Sequence, residues 1–375
     1  MDLSDLQTGA GDWLGGTGPE SDIVISSRLR LARNLADFPF LSRATPKERG
    51  QLERRIQTEL KKVLSAEDIR YYALPPLSPV DRLFLVERHL ISREHAFGKG
   101  PRGVCLGAQG SISIMVNEED HLRIQGLSSG FQLRATWEQV DDVDSRLEKL
   151  LEYSFSAQFG YLTVCPTNVG TGMRASVMLH LPALVMTRQI DKVFQAVSKI
   201  NLAVRGLYGE GTQASGDFYQ ISNQPTLGKS ELEIIETIER VIPKIIEYER
   251  TVREQLLEQR REVIEDKVWR AYGMLQTART INSEETMDLL SAVRMGVNLK
   301  IIQDVKISTV NELFIHTQPA HLQKIERSEL NSPERDITRA TFIRDRLKGD
   351  SKNNGNGSSG RGGKGGGNHK RQRTK

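Results

Sequence analysis

The chain has 375 residues, enough for one large domain with a smaller companion or for two of ordinary size. At 38% hydrophobic and 27% charged it lies near the globular average, which excludes a wholly disordered, collagenous or membrane-spanning chain. The net charge of +4 suggests a polyanion partner such as nucleic acid, but residues 349–375 alone carry +6, which leaves the first 348 residues at −2. That tail sets Lys352, Arg361, Lys364, Lys370, Arg371, Arg373 and Lys375 against Asp350 and has no large apolar side chain. It is read as disordered, because it cannot bury enough surface to offset its ordering entropy. Nucleic acid enters only through this tail.

In chain order, residues 23–25 read as a short apolar strand. Thr45-Pro46-Lys47-Glu48 combines an N-cap, a proline at the first helical position and a capping-box glutamate, predicting a helix to about Leu64. Ser78-Pro79-Val80-Asp81 opens another. Over 111–116, Ile112, Ile114 and Val116 alternate with Ser111, Ser113 and Met115, the period of a strand. Further strands are expected at 122–125, 161–164, 174–179, 202–208 and 217–221, with a helix from Thr136 to about Gln158. From Ser230-Glu231-Leu232-Glu233 a helical pattern runs to about Arg270, interrupted only by Pro243. Segments 283–298, 309–315, 319–325 and 333–347 then read as helices, with Ser332, Pro333 and Glu334 as N-cap, N1 and N2.

Cys105 and Cys165 cannot make a disulfide framework, and no Cys/His spacing resembles a zinc site; no metal ligand set is expected. The MDLSDL start lacks the basic and apolar regions of a signal peptide. The apolar stretch Val177–Met186 is too short to span a bilayer and contains His180 and Pro182. A reducing, cytoplasmic setting without membrane contact is expected.

Four stretches carry candidate chemistry. Ser26-Ser27-Arg28-Leu29-Arg30 puts Arg28 and Arg30 on one face if the first strand continues, and two guanidiniums on one face call for an anion between them; a solvated basic edge is the alternative. Asn117-Glu118-Glu119-Asp120-His121-Leu122-Arg123 gathers acids where a strand ends, suited to a cation or a general base, or else a charged turn. Cys165-Pro166-Thr167-Asn168-Val169-Gly170-Thr171-Gly172-Met173-Arg174 can present backbone N–H groups and a guanidinium to an anion. Arg205-Gly206-Leu207-Tyr208-Gly209-Glu210 places an arginine and a carboxylate at another strand end. Gly228-Lys229-Ser230 lacks the earlier glycine of a P-loop, and His89, Glu94 and His95 lack metalloprotease spacing. Arg28, Arg30, Arg123, Arg174 and Arg205 form an inventory for a triphosphate and a transferring phosphoryl group. Glu119 and Glu210 would face the acceptor; two carboxylates suit a guanidinium, a poor nucleophile until a base removes a proton.

The SSRLR, NEEDHLR and CPTNVGTGMRAS stretches resemble the signature of the ATP:guanidino phosphotransferases, the creatine and arginine kinase superfamily. SDIVISSRLRLARN, VRGLYGEG, NQPTLGKSE and ERDITRA look like its bacterial protein-arginine kinase branch, over roughly 20–348. The resemblance implies an α+β, phosphagen-kinase-like catalytic domain with a largely antiparallel sheet flanked by helices, then an all-helical C-terminal domain. It divides the chain into a lead (1–20), a catalytic domain (21–255), a helical domain for dimerisation and phosphoarginine binding (256–348) and the tail (349–375). It implies ATP contacts from Ser26, Ser27, Arg28, Leu29, Arg30, His89, Arg123, Arg174, Ala175, Ser176, Val177, Met178, Arg205, Gly206, Leu207, Tyr208, Gly209 and Glu210, with Mg2+ carried on the ATP phosphates. Glu119 and Glu210 would grip and deprotonate the acceptor guanidinium, with Cys165 beside them.

In that branch Arg335, Asp336, Ile337, Thr338, Arg339 and Ala340 form an allosteric phosphoarginine pocket; on residues alone, Arg335 and Arg339 at i and i+4 read equally as a solvated helix face. The implied activity is ATP-dependent phosphorylation of protein arginines, marking targets for Clp-dependent degradation in the stress response. The implied partners are protein substrates with exposed arginines, an activator protein (McsA), the Clp ATPase/protease machinery, a heat-shock repressor and a second copy of the chain. The short lead before the first motif favours a protein acceptor over free arginine. The alternatives are a small-molecule guanidino kinase and a non-catalytic adaptor or nucleic-acid binder. Thr212-Gln213-Ala214 departs from the Ser-Glu-Ala of many relatives.

Overall fold

A computed structural model describes residues 3, 6, 11–64, 69–107, 110–206 and 215–355. Its centre is an eight-stranded sheet whose every neighbouring pair is antiparallel. The strands are β1 (Val24–Arg33), β2 (Ile69–Ala73), β3 (Gly103–Gly107), β4 (Ile112–Val116), β5 (Leu122–Ser129), β8 (Met173–His180), β9 (Leu202–Gly206) and β10 (Phe218–Asn223), in the order β2-β3-β4-β5-β1-β8-β10-β9. A separate hairpin pairs β6 (Phe155–Ser156) with β7 (Gly160–Tyr161). The strand expected at 23–25 continues to Arg33, so Arg28 and Arg30 lie within it. The strand expected at 161–164 stops at Tyr161, and the following backbone bonds side chains instead: Leu162 O accepts from Asn34, and Val164 N donates to Asp120. β2 and β3 were not anticipated.

One face of the sheet is apolar. Leu29 and Leu31 of β1, Ile124 of β5, Ala175 and Val177 of β8 and Ile221 of β10 pack against α1 (Pro46–Val63), α4 (Leu133–Glu148) and α7 (Glu231–Gln259). Thr45 and Glu48 close the expected capping box on α1, and Ser230 and Glu233 close one on α7. Ser78 caps α2 (Pro79–Glu87). α4 begins before and ends well before the expected 136–158, because the chain turns back after it to bridge Tyr153 to Leu35 and to form the β6–β7 hairpin. The long helix from Ser230 breaks at Arg260, where the backbone leaves helical geometry (φ −147°, ψ 43°), and resumes as α8 (Arg261–Thr277).

The helical segment continues with α9 (Ser283–Asn298), α10 (Ile307–His316), α11 (Pro319–Glu326) and α12 (Ser332–Gly355). α12 is capped by Asn331, not Ser332: Asn331 Oδ1 accepts from Glu334 N, and the Glu334 carboxylate accepts from Asn331 N. This helix passes 348 into the expected tail, whose residues 356–375 lie outside the described ones. The segment shares an apolar cluster with the sheet through Trp13, Leu14, Ile25, Leu127, Met178 and Phe218. Its polar anchor is Arg294, fully buried, which donates to Asn311 Oδ1 and to the carbonyls of Asp22 and Ser21, and contacts His180 Nδ1 at 2.9 Å. Burial pulls the Arg294 guanidinium down to about 9. No helix among the described residues is long and apolar enough to cross a membrane.

Arg294→Leu leaves several buried acceptors without a donor, at about 1–3 kcal/mol each. Urea unfolding is therefore expected to show a loss of at least about 3 kcal/mol. An unchanged midpoint contradicts this role.

Candidate active site

The face opposite the α1/α4/α7 layer carries arginines in register. Antiparallel pairing places Arg30 directly across from Arg174 of β8 and Gln125 of β5, and Arg28 across from Ser176 and Leu127. Arg123 of β5 faces Ala32, and Arg205 of β9 faces Gln220 of β10. Cross-strand partners share a face, so period two brings five guanidiniums from four strands to one surface. Leu29, Ala175 and Val177 alternate to the other side and sit in the core, while Ser26, Ser176 and Met178 share the arginine side. Ser27 is occupied in structure, donating to Gly130 O and accepting from Gln132 N ahead of α4.

Like charges at this spacing repel. Burial and the neighbouring Arg123 and Arg174 bring Arg28 down to about 10, and burial with Arg28 likewise lowers Arg30. Burial and then Arg205 and Arg123 lower Arg174. Gln220 accepts from Arg28 at 2.5 Å and Ser222 from Arg174 at 3.1 Å, yet the Nε atoms of Arg28, Arg30 and Arg174 are buried with no partner. Unsatisfied buried donors of one sign fit an anion. Arg123 differs, since both Glu118 oxygens accept from it at 2.5 Å. Burial works against the Glu118 carboxylate, but Arg123 and the Ser92 hydroxyl hold it below the ordinary glutamate range.

Glu119 projects exposed from the β4–β5 turn. Its proton affinity is raised by partial burial and by the charges of Asp120 and Glu118. The turn is held from behind: Asp120 Oδ1 accepts from Asn34 Nδ2 at 2.6 Å and from Val164 N at 2.7 Å, and Asn34 Oδ1 accepts from His121 N. Asp120 therefore ties the Glu119 turn to the strand of chain that enters Cys165. Cys165 is a free, half-buried thiol whose Sγ lies 3.0 Å from Thr167 Oγ1. Beyond it opens a pocket of about 270 Å3 lined by Thr167, Asn168, Arg174, Arg205, Gln224 and Thr226, among others.

His89 stands at the opposite end of the arginine face. Its backbone is left-handed (φ 58°), its ring centroid is 5.3 Å from Trp13, and its carbonyl accepts from Gln125 Nε2. Burial and Arg28 push the imidazole down to about 3, so it is neutral at pH 7. Ser26, Arg28, Ser176, Met178 and Gln220 surround it. Gly206 ends β9; Leu207, Tyr208, Gly209 and Glu210 lie outside the described residues. Sequence reasoning passed over Gln220, Ser222 and Gln125, which alternation along β5 and β10 assigns to the arginine face, and Trp13, for which no sequence signal existed.

On α12, Arg339 is 1% exposed and donates to Thr317 O, Ile281 O and Asp336. Arg335 is half-buried and donates to Leu330 O, Ile337 is exposed and Ala340 lies in the apolar cluster. Thr338 is half-buried beside them.

An antiparallel sheet with this charged face, backed by helices, is the catalytic architecture of the ATP:guanidino phosphotransferases. Residues 51–252 match the family description "ATP:guanido phosphotransferase, C-terminal catalytic domain", and residues 261–358 match "Protein-arginine kinase McsB C-terminal domain". The protein-arginine kinase of Symbiobacterium thermophilum is 49% identical over 338 residues, covering 89% of this chain and 96% of that protein. That of Bacillus subtilis is 44% identical over 345 residues, covering 91% and 94%. Among solved structures, the duplicated taurocyamine kinase of Schistosoma mansoni with transition-state analogue components aligns at TM-score 0.56 and 30% identity. That match covers 62% of this chain but only 34% of the duplicated kinase. A lombricine kinase aligns at TM-score 0.55 and 30% identity, covering 65% of this chain and 69% of its own. The chain belongs to the protein-arginine kinase family and is a phosphotransferase.

Arg30→Met removes a repelling charge from the arginine face. In anion-free buffer the variant is expected to melt about 2–4 °C higher than the parent. Inorganic triphosphate is expected to raise the parent's midpoint and to raise the variant's less. Equal responses to triphosphate contradict an anion site built around Arg30.

Proposed function

We propose that the protein transfers the γ-phosphoryl group of ATP to arginine side chains of other proteins. The observation that carries this reading is the set of five guanidiniums on one sheet face, three with buried and unpartnered Nε atoms, leading into a pocket lined by Arg174 and Arg205. Arg28, Arg30, Arg123, Arg174 and Arg205 hold the polyphosphate, with Arg174 and Arg205 at the pocket where the γ-phosphate ends. Ser26, His89, Ser176 and Met178 receive the nucleoside end.

The acceptor guanidinium enters past Thr167 and Cys165 toward Glu119; the family relationship supports Glu210, which lies outside the described residues, as a second carboxylate. One of its nitrogens forms the new N–P bond as the bond from phosphorus to the β–γ bridging oxygen breaks. ADP leaves, and the proton lost by the guanidinium passes to the Glu119 carboxylate, whose raised proton affinity suits a base. Fixed arginines neutralise charge without reorganising, which is the main service a site can render in phosphoryl transfer. The family relationship supports Mg2+ carried on the ATP phosphates, where it would add to their charge neutralisation.

The family relationship supports a wider setting: a cytoplasmic enzyme, dimeric through its helical segment, marking proteins for Clp-dependent degradation under stress with an activator protein and a heat-shock repressor as partners. The same relationship supports a phosphoarginine pocket at Arg335–Ala340. There Asp336 would meet the guanidino part and Arg335 the phosphate, while Arg339, already bonded to two carbonyls, braces Asp336.

Incubation with ATP and an arginine-rich protein, followed by mass spectrometry without acid, is expected to show phosphoarginine on the protein and little on free arginine. Robust product from the free amino acid alone contradicts a protein acceptor. Glu119→Gln is expected to lower kcat at least ~100-fold while ATP still binds, since base catalysis supplies about 10²–10⁴. Because the unprotonated carboxylate is the active form, the acid limb of kcat/KM should lie above the ordinary glutamate value of 4.5. A limb at or below that value removes Glu119 as the base.

A further inference from the structure

Outside the pocket, three loops meet backbone to backbone. The β6–β7 hairpin touches the loop after Cys165: Tyr161 N donates to Gly170 O, and Gly170 N to Tyr161 O. A side chain at Gly160 (φ +77°) would strike Gly170 O at 2.5 Å, and one at Gly170 (φ +114°) would strike Thr226 O at 2.5 Å. Thr226 Oγ1 bonds the carbonyls of Thr167 and Val169, so the third loop is sutured to the same stretch. Thr167, Asn168 and Thr226 of these loops line the pocket, which makes the three-loop surface its rim.

This rim exposes large apolar side chains. Phe155 is 60% exposed, Leu227 53% and Phe159 45%. It also lacks charge: no Asp, Glu, Lys or Arg occurs in 154–170 or in 223–228, in a chain that is 27% charged. Charge depletion with exposed aromatic and aliphatic groups is the signature of an interface core. The platform is stiff, since the Arg33 guanidinium stacks 3.6 Å from the Tyr161 ring, bonds Thr171 O and pairs with buried Asp144. A rigid apolar rim loses little entropy when it binds.

We propose that this rim docks the polypeptide on either side of the target arginine, selecting extended segments with a large apolar side chain two to four residues away. The proposal rests on the protein-arginine reading above. An arginine whose guanidinium enters the pocket leaves its own backbone at the mouth. At about 3.3 Å per residue, an extended chain then carries its neighbours about 7–13 Å across the rim. Continuity with the pocket is what commits the surface to a substrate segment.

The test uses two fluorescent peptides of equal length with a single arginine, one flanked by Phe and Leu at those positions and one by Ser. Anisotropy and acid-free mass spectrometry follow binding and phosphorylation. The parent is expected to bind the apolar peptide at least ~10-fold more tightly and to phosphorylate it with a correspondingly lower KM. In Phe155→Ser/Phe159→Ser and in Leu227→Ser that preference should fall to within ~2-fold, with KM for ATP and turnover of the Ser-flanked peptide unchanged. These side chains are exposed, so the variants keep the fold. Phosphorylation of both peptides without preference, or a preference that survives in the variants, overturns the proposal. So does a variant that changes only the oligomeric mass, which assigns the rim to a second copy of the chain. Flank-dependent binding without phosphorylation of either peptide keeps the rim and refutes the reaction instead.

Discussion

Repulsion among guanidiniums on one face of one sheet is the constraint to which the rest of the structure answers. Arg28, Arg30 and Arg174 sit on adjacent strands with their Nε atoms buried and unpartnered. Burial and mutual repulsion bring Arg28 down to about 10. Such an arrangement destabilises the folded chain unless the strands are held by something else. Here the holding force is on the reverse side, where Leu29, Leu31, Ala175 and Val177, the alternate residues of the same two strands, are fully buried against helices. Apolar packing on one face thus maintains an electrostatic excess on the other, and an anion relieves it.

The helical segment is part of this arrangement rather than an appendage. Its apolar cluster takes in Trp13, which stands edge-on to His89 at the margin of the arginine face, and Asn311 of α10 donates to Leu14 O beside it. Ser291 and Asp288 of α9 bond Asp217 and the Gly216 amide, the backbone that leads into β10. Glu87, at the end of α2, accepts from Ala320 N and His321 N of α11 and contacts the His321 ring at 2.8 Å. Burial raises that carboxyl to about 7 against the pull of those bonds and of Arg339 and Arg335. α11 and the residues around His89 are therefore joined through one short run, Glu87-Arg88-His89, with Arg339 and Arg335 of α12 acting on the Glu87 carboxyl by charge.

Much of this was legible. Capping residues located α1, α2 and α7 because an N-cap acts locally and needs no tertiary partner. The arginine face was legible once Arg28 and Arg30 were placed on a strand, since period two does the rest. A run of positions such as 174–178 hid the alternation, however, and only pairing separates Ser176 and Met178 from the buried Ala175 and Val177. β2 and β3 escaped because they are short and sit beside a glycine- and proline-rich stretch. Arg260 carries no breaker, so the end of α7 is a tertiary effect. Arg339 read as half of an exposed pair, whereas backbone carbonyls from two distant turns bury it. The net charge pointed to nucleic acid; the positions of the arginines within the sheet pointed to phosphates.

A crystal structure of the protein with ADP and Mg2+ tests the central claim most directly. The account predicts the diphosphate on the open sheet face, bonded by Arg28, Arg30 and Arg174, with the base beside His89. Phosphates bound elsewhere, or these three guanidiniums left without an anion, would contradict it.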